Sequence, residues 1–416
     1  MVMNHTPLRT VLSCTLLVMS LGAGATACLG DGGSPLAEKP YDATGQIAFN
    51  DPGKGKADPD KPLEITVKDD GVRITDVTAV DEDGRRLAGE LSADGSRWHN
   101  TAPMAAGTRY TVRVSTENED GAPGARTLTF ETAATQKVLK VTFGPEKGTY
   151  GVGQPVTAEL GAAVEDKAAR AVVERALRVE SEPAVEGSWH WVDGKNLHYR
   201  PKDYWPAGTV VRVHSNLKGI KVGKGLYGGN SAPLSLAIGD RIEALTDAAA
   251  HRMTVKRNGE VIKTIPVTTG KPGFATRNGI KVVLGKEYFV RMRGSTVGIP
   301  EGSDDAYDLP VYYATRVTWS GEYVHAAPWS VGSQGFANVS HGCTGMSTAN
   351  ASWFYDTIRK GDIVEVVGSL GSAMQPFGNG FGDWNLTWDK WRNGSALLTG
   401  MLDSGPTDTA RLRPQV

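Results

Sequence analysis

The sequence predicts a mainly β protein, with two β-sandwich domains followed by a third domain that is mostly β. Short segments that alternate apolar and polar residues, such as Leu63–Val67 and Tyr110–Val114, are separated by Asp-Gly pairs. Such alternation is typical of half-buried strands, and frequent turns between short strands are typical of sandwiches. The segment Ala106–Tyr110 has a counterpart in Ala207–Val211, so we expect the sandwich to be repeated. Beyond Arg241 the pattern continues with hairpins and one helical segment.

Residues 1–28 have the features of an export signal. Arg9 precedes an apolar run, Val11–Ala23, and small residues follow it up to Cys28. This order is typical of a signal peptide, and the run is too short for a membrane-spanning helix, which needs ~20 residues. Cys28 stands as in a lipobox, although Ala25 replaces the usual Leu. We expect a lipid anchor at Cys28 and a location on the outer face of the cell membrane and in the cell wall, with ordinary signal cleavage as the alternative.

Residues 29–43 have the composition of a flexible tether, rich in Gly, Pro and charged residues. We place the first sandwich at residues 44–135 and the second at 136–240. Within the second, Asp166–Arg178 has apolar residues at helical spacing and predicts a short packed helix. The net charge of −1 gives no reason to expect a nucleic-acid partner, and no nucleotide-binding or zinc-finger spacing occurs in the sequence.

We place the third domain at residues 241–368. Asn258-Gly259 lies between two strand-like segments and predicts a hairpin with a type I′ turn. Ser347–Arg359 predicts a helix capped by its first or second residue, and Asp362–Val367 predicts the closing strand. Cys343 is then expected at the end of a strand just ahead of the helix, whose N-terminus would favour the thiolate.

A Trp-rich extension at residues 369–400 follows the third domain. It contains Trp384, Trp388 and Trp391, a spacing that predicts an aromatic segment packed between the third domain and the second sandwich. We expect residues 401–416 to be disordered.

Cys343 is the candidate nucleophile. The other two of the three cysteines lie in the export segment, so Cys343 has no disulfide partner. It is either a buried structural thiol or a reactive one. His325 and His341 favour the reactive thiol, because an imidazole can take its proton. Gly342 lets the chain turn beside the thiol, where exposed backbone N–H groups would form an oxyanion hole.

At these residues the sequence resembles the L,D-transpeptidase (YkuD) catalytic domain. His325–Ser330 and Ser340–Cys343 match the histidine and the Ser-His-Gly-Cys signature of that family, with its spacing. Met292–Pro300 resembles the segment that lines the family's substrate cleft, and Tyr307 stands where the family carries a lid tyrosine. Gly345 is a departure, because many members have Arg or Asn there. The nearest likeness is to actinobacterial cell-wall enzymes with immunoglobulin-like domains ahead of the catalytic one.

The resemblance implies two immunoglobulin-like β-sandwiches, then a mostly β YkuD-type catalytic domain with a short helix after the nucleophile. It also implies an exported enzyme that forms 3→3 peptidoglycan cross-links. Cys343 would displace the terminal D-alanine of a donor tetrapeptide stem, and the thioester would pass to the diamino-acid side chain of an acceptor stem. Carbapenem β-lactams would inhibit it. We expect a monomer that needs no cofactor and no metal.

The resemblance also implies roles for individual residues. His325 would be the general base, Ser340 would hold an imidazole in its working tautomer, and the Gly342–Cys343 backbone, with Tyr307, would stabilise the oxyanion. His341 would belong to the cleft wall. The residues expected to bind substrate are Tyr307, Met292, Ser295, His341, Trp329, Ser330, Thr344 and Gly345.

Three other functions are open at this point. The same acyl-enzyme could pass to water, which would make the protein a carboxypeptidase or an endopeptidase. The sandwiches and tryptophans could instead serve a non-catalytic wall-binding protein. A zinc site could be built from His325, His341 and Cys343.

Overall fold

The computed structural model describes residues 40–50 and 55–398. The predicted signal peptide, Cys28, nearly all of the tether and the 401–416 tail lie outside the described residues. In the part of the chain that is described, no helix is long and apolar enough to cross a membrane.

The N-terminal part of the described chain is a sandwich of two four-stranded sheets. Its strands are β1 (Tyr41–Asp42), β2 (Ile47–Phe49), β3 (Glu64–Val67), β4 (Val72–Asp81), β5 (Gly89–Leu91), β6 (Arg97–Asn100), β7 (Arg109–Asn118) and β8 (Pro123–Glu131). The sheets have the orders β1-β8-β7-β4 and β2-β3-β6-β5. The predicted alternation places Tyr110, Val112 and Val114 inward, where they meet Ile65 and Trp98 of the other sheet in a core of their own.

A second β unit follows, with one helix. Its elements are β9 (Val138–Leu139), β10 (Val141–Gly144), β11 (Gly148–Tyr150), β12 (Val156–Leu160), α1 (Lys167–Ala176), β13 (Leu177–Glu182), β14 (Gly187–Trp191), β15 (Asn196–Pro201), β16 (Val210–Ser215), β17 (Lys221–Gly223), β18 (Leu226–Gly228) and β19 (Leu234–Ile238). Two sheets, β10-β12-β15-β14 and β11-β19-β16-β13, face each other, and β17-β18-β9 form a small third sheet. Helix α1 lies where the sequence predicts it, because Asp166 caps it by accepting a hydrogen bond from the Ala169 N–H.

The third unit consists of two further sheets and carries the predicted nucleophile. Its elements are β20 (Ile242–Asp247), β21 (Arg252–Arg257), β22 (Glu260–Pro266), β23 (Gly279–Val282), β24 (Gly285–Arg293), β25 (Asp308–Arg316), β26 (Tyr323–Ala326), β27 (Thr344–Met346), α2 (Thr348–Thr357) and β28 (Ile363–Val367). The sheets have the orders β22-β21-β20-β28-β23 and β24-β25-β26-β27. Asn258 and Gly259 both have positive φ, as the predicted type I′ hairpin turn requires.

Helix α2 packs against the second of these sheets. Its N-cap is Ser347, whose hydroxyl accepts a hydrogen bond from Asn350 N–H. The expected position of Cys343 at the end of a strand is wrong, because the cysteine lies in a turn and strand β27 begins directly after it. A short strand therefore separates the thiol from the helix.

The Trp-rich extension joins the second and third units. It contains a 3-10 turn (Asp383–Asn385) and α3 (Trp388–Arg392). Trp391 is fully buried, and the Arg200 guanidinium lies over its ring and that of Trp384, 4.6 Å from each centroid. The predicted packing of this segment is therefore present, with an arginine at its centre that the sequence pattern did not indicate.

The second and third units also share a hydrophobic core. Val282 and Ile363 of the third unit pack in the same cluster as Trp189 and Trp205 of the second. Backbone hydrogen bonds from Gly151 N–H to Lys360 O (2.8 Å) and from Gly153 N–H to Gly361 O (2.9 Å) cross the same junction.

Candidate active site

Strand pairing brings the two ends of the predicted motif together. Strands β26 and β27 are parallel neighbours, with His325 opposite Gly345. On its other side Gly345 pairs with Thr268, through backbone hydrogen bonds of 2.8 and 2.9 Å. The segment that begins at Cys343 is therefore held between two others, and His325 is placed beside it by a regular hydrogen-bond ladder.

A cavity of about 260 Å³ opens above these strands. Nine of the residues predicted for the site line it, namely Met292, Tyr307, His325, Trp329, Ser330, Ser340, His341, Cys343 and Gly345. Five further lining residues were not predicted from the sequence, namely Thr268, Leu309, Val311, Ala327 and Val339. They lie on neighbouring strands and loops and carry no chemistry that a motif would mark.

Three predicted residues do not line the cavity. Ser295 is exposed in a neighbouring depression, on the other side of Tyr307. Thr344 is buried, only 3% exposed, and pairs with Val324 within the sheet. Gly342 is buried behind the thiol, where its carbonyl accepts a hydrogen bond from Thr276 Oγ1 at 2.9 Å.

The turn that presents Cys343 depends on Gly342 and Ser340. Gly342 has φ of 121°, a region that residues with a Cβ rarely adopt. Ser340 Oγ accepts a hydrogen bond from Gly342 N–H (3.1 Å) and donates one to Cys343 O (2.6 Å). These bonds close the turn around the cysteine. The predicted role of Ser340 in holding an imidazole is wrong, because its hydroxyl is used in this turn.

A backbone carbonyl holds His325 instead. Its Nδ1 lies 2.8 Å from Ala326 O, and a carbonyl can only accept, so Nδ1 carries the proton and Nε2 keeps its lone pair. The ring is only 5% exposed, and this burial lowers the pKa of His325, so the neutral imidazole is favoured. His325 is therefore prepared to accept a proton at Nε2.

The surroundings of Cys343 favour the protonated thiol. Sγ donates a weak hydrogen bond to Gly321 O at 3.5 Å, and burial raises the pKa of the thiol to about 12, partly offset by a hydrogen bond from Tyr323 N–H. The expected thiolate at a helix N-terminus gains no support, because β27 separates the thiol from α2 and burial favours the protonated form. Among the described residues, no hydrogen bond joins Sγ to His325 in this resting arrangement, although both line one cavity.

His341 contacts a loop that contributes Tyr307 to the cavity. The loop is the segment 294–307, closed at its base by a hydrogen bond from Gly294 N–H to Tyr307 O of 2.9 Å. The His341 ring packs against that of Tyr307, with centroids 4.9 Å apart and the planes tilted by 33°, and its Nε2 lies 3.5 Å from Asp305 Oδ1. Lys271 Nζ holds the same carboxylate at 2.5 Å. His341 therefore belongs to the cavity wall.

Gly345 is required by packing. A Cβ built at this position would lie 2.9 Å from the Ala327 Cβ and 3.1 Å from Thr268 Cγ2. The Arg or Asn that many family members carry would not fit here without a shift of these neighbours.

In the described part of the chain, no three His, Cys, Asp or Glu side chains converge as metal ligands would. The zinc alternative therefore gains no support from the arrangement of His325, His341 and Cys343.

Comparison with known proteins places these units in a family. Residues 54–221 match the family model of the bacterial Ig domain, a single match that runs across both N-terminal β units, and residues 241–366 match that of the L,D-transpeptidase catalytic domain, YkuD. L,D-transpeptidase 2 of Mycobacterium tuberculosis is 39% identical over 338 residues, which is 81% of each chain. L,D-transpeptidase 5 of the same species is 34% identical over 403 residues, 93% of this chain and 86% of the relative. A solved structure of the LD transpeptidase LdtMt1 with imipenem is 39% identical, with a TM-score of 0.48, covering 55% of this chain and 100% of that one.

Proposed function

This chain belongs to the L,D-transpeptidase family, and from that premise we propose that it is an exported enzyme that forms 3→3 cross-links in peptidoglycan through a Cys343 thioester. One observation carries the assignment of the residues. A buried neutral imidazole, His325, with a free Nε2 shares a small cavity with the thiol of Cys343 on the adjoining segment.

The first half-reaction acylates the cysteine. Sγ leaves its contact with Gly321 O and turns into the cavity, and His325 Nε2 takes its proton. The sulfur then attacks the carbonyl of the third residue of a donor tetrapeptide stem. The C–N bond to the terminal D-alanine breaks, and the D-alanine amine leaves with the proton from His325. The products are a thioester on Cys343 and free D-alanine.

The second half-reaction transfers the acyl group. The side-chain amine of the third residue in a neighbouring stem attacks the thioester and gives its proton to His325. The C–S bond breaks, and the sulfur regains that proton. The product is an amide between the third residues of two stems.

The oxyanion of each tetrahedral intermediate needs donors near Cys343. The Gly342 N–H is already used, since it donates to Ser340 Oγ. We therefore assign the backbone N–H of Cys343 and the hydroxyl of Tyr307, which lines the same cavity, to the oxyanion. Gly342 itself serves the turn.

Product analysis tests the proposed reaction. The purified protein is incubated with disaccharide-tetrapeptides, and the products are examined by tandem mass spectrometry. We expect dimers with a 3→3 bond and loss of one D-alanine per dimer. Cys343→Ala should form none while keeping the melting temperature of the native protein within a few degrees.

The hydrolytic alternative gives a different product in the same experiment. Only disaccharide-tripeptides, with no dimer at any acceptor concentration, would show that the thioester passes to water. Dimer formation by Cys343→Ala would contradict the role of the cysteine.

Carbapenems are proposed inhibitors, because a thiol with a base and oxyanion donors can open a strained β-lactam ring. Ring opening adds the whole β-lactam to Sγ, so intact-protein mass spectrometry should show one adduct, located on the peptide that contains Cys343. An unmodified mass at saturating carbapenem would contradict this proposal.

Export and anchoring are also proposed. They rest on the signal-like residues 1–28 and the lipobox-like Cys28. A lipid there, together with the tether and the N-terminal sandwiches, would present the catalytic domain to the wall from the outer face of the cell membrane.

A further inference from the structure

A buried ion pair lies near the nucleophile and does not line the cavity that Cys343 shares with His325. Lys281 is 1% exposed, and its Nζ lies 2.7 Å from Glu322 Oε2 and donates to Arg277 O at 2.8 Å. The other carboxylate oxygen of Glu322 lies 2.9 Å from Arg277 Nη1 and accepts from Arg277 N–H at 3.2 Å. The mechanism above uses none of these groups.

Stability is not a sufficient reason for this pair. Burying a lysine and a glutamate removes both from water, and well-packed apolar residues in place of a buried ion pair are often equally stable or more so. A buried ion pair beside a reactive group therefore calls for a role in the reaction.

The pair is connected to both chain segments that hold the thiol. Glu322 lies between two residues that contact the sulfur of Cys343. The Gly321 carbonyl accepts a hydrogen bond from Sγ, and the Tyr323 N–H donates one to Sγ. On the other side, Arg277 follows Thr276, whose hydroxyl donates to the Gly342 carbonyl in the turn before the cysteine. The ion pair thus joins the segment under the sulfur to the segment that supports the turn.

We propose that Lys281 and Glu322 are positioning residues of the nucleophile: as an ion pair at the Gly321–Tyr323 segment that contacts the sulfur, they hold two opposite charges in place there and balance the charge that the sulfur experiences. The proposal rests on the proposed function only in taking Cys343 as the reacting group.

The two charges act on the thiol in opposite directions. The carboxylate of Glu322 raises the pKa of Cys343, and the ammonium of Lys281 lowers it. The other groups near the pair or the thiol are Arg277, which pairs with Glu322, the hydroxyls of Tyr307 and Tyr323, and the imidazoles of His325 and His341 in the cavity. All of these stay unchanged in the variants below, so a change in reactivity can be assigned to the pair.

Alkylation of the thiol tests the proposal. The full chain is treated with iodoacetamide at pH 8, and modification of the Cys343 peptide is followed by mass spectrometry. A charge a few ångströms away changes a pKa by about one unit. A shift of that size changes the fraction of thiolate about tenfold. A thiolate of higher pKa is also the stronger nucleophile, which partly offsets this change, so the alkylation rate changes about threefold. Lys281→Met should therefore react about threefold more slowly than the unchanged protein, and Glu322→Gln about threefold faster.

Opposite directions distinguish charge balance from a loss of structure, because a loosened fold would expose the thiol and speed its alkylation in both variants. Lys286→Met is the matched control. Lys286 is a part-buried lysine of the same domain whose Nζ donates to Ile358 O and lies over the Tyr355 ring, and it is not among the charged groups that shift the pKa of Cys343 in the described part of the chain. Its loss should leave the alkylation rate unchanged.

The double variant Lys281→Met/Glu322→Gln removes both charges and avoids an unpaired buried one, so it carries the test if a single variant does not fold. Its alkylation rate should be within twofold of the unchanged protein. The proposal is overturned if the folded single variants change the rate in the same direction, if neither changes it, or if the double variant differs by threefold or more. Since alkylation needs neither donor nor acceptor stem, these results do not depend on whether the enzyme makes 3→3 bonds.

Discussion

At the scale of single residues, the site contains two histidines with different surroundings. His325 is buried with one nitrogen bonded to a backbone carbonyl, which leaves the other free as a base. His341 packs against the ring of Tyr307 and lies near the carboxylate of Asp305. We therefore assign the role of base from the surroundings of each imidazole within the cavity, rather than from its distance to Cys343 along the chain.

We predict that His325→Ala lowers the rate of carbapenem acylation by a factor of about 10²–10⁴, the usual contribution of a positioned general base. His341→Phe keeps a ring against Tyr307 and should lower the rate far less. The measurement is stopped-flow or time-resolved mass spectrometry of the adduct. A larger loss in His341→Phe than in His325→Ala would reverse the two roles.

The pH dependence of the carbapenem acylation rate follows from the burial of His325. Only the unprotonated imidazole can act as a base, and burial lowers the pKa of His325, so it stays unprotonated to a lower pH than an exposed histidine. The acid limb of the acylation rate should therefore have its midpoint below the ordinary histidine value of about 6.5. A midpoint above that value would contradict the assignment of the base.

At the scale of structural elements, the Trp-rich extension supports the junction between the second and third units. Trp391 is fully buried, and its indole N–H donates to Ser188 O at 2.9 Å. The Trp384 indole donates to Gly153 O at 2.8 Å. Arg200, held between these rings, also donates to Leu386 O at 2.8 Å, and its burial lowers its pKa to about 10. The extension thus completes the core, and without it the buried guanidinium of Arg200 would be exposed.

We predict that Trp391→Ala lowers the free energy of unfolding by about 3–5 kcal/mol, as expected for a large aromatic residue removed from a core. Trp388 is only partly buried and lies 5.6 Å from the Arg200 guanidinium, so Trp388→Ala serves as the control and should cost less. Chemical denaturation followed by fluorescence and circular dichroism measures both. Equal small losses would show that the extension is not part of the core.

At the scale of the whole molecule, the N-terminal sandwich is joined to the rest differently from the other units. Its core is separate from that of the second unit. The contacts across this junction are mostly polar, such as the hydrogen bond from Tyr227 to Asp60 (2.8 Å) and that from Arg85 to Lys218 O (2.7 Å). The second and third units instead share one apolar core through Val282 and Ile363.

We predict that deleting residues 44–135 leaves the activity on soluble muropeptides nearly unchanged but reduces 3→3 cross-links in intact cells. In the full protein this sandwich would act as a spacer between the membrane and the catalytic domain. The tether alone cannot replace it, since even a fully extended tether adds at most ~3.3–3.6 Å per residue. Muropeptide analysis of the reactions with soluble substrates and of walls from intact cells measures the two effects. Deleting residues 44–240 is the comparison, and it should abolish soluble activity because it opens the shared core. Loss of soluble activity in the shorter deletion would show that the first sandwich shapes the site.

Local signals in the sequence were enough to predict several features of this protein. Helix α1 after Asp166, the I′ turn at Asn258-Gly259 and the cap of α2 at Ser347 each depend on residues within one turn of each other. Strand alternation predicted the inward-facing residues of β7 in the same way. The family was recognisable because the Ser340–Cys343 signature is itself a short local motif.

Only the tertiary structure decided how the site is held. The carbonyl that orients His325, the closed turn of Ser340, the packing around Gly345 and the buried Lys281–Glu322 pair were not predicted. Most of these arrangements join residues that are distant in the sequence. The Ala326 carbonyl is adjacent to His325, but every residue has such a carbonyl, so the pattern of side chains does not mark it. A lysine in a strand is ordinarily solvent-exposed, and Lys281 becomes a buried charge only because β23 pairs with β28 and the segment at Glu322 closes over it. Local patterns determine secondary structure and motifs, whereas burial and charge pairing follow from the way in which distant segments pack.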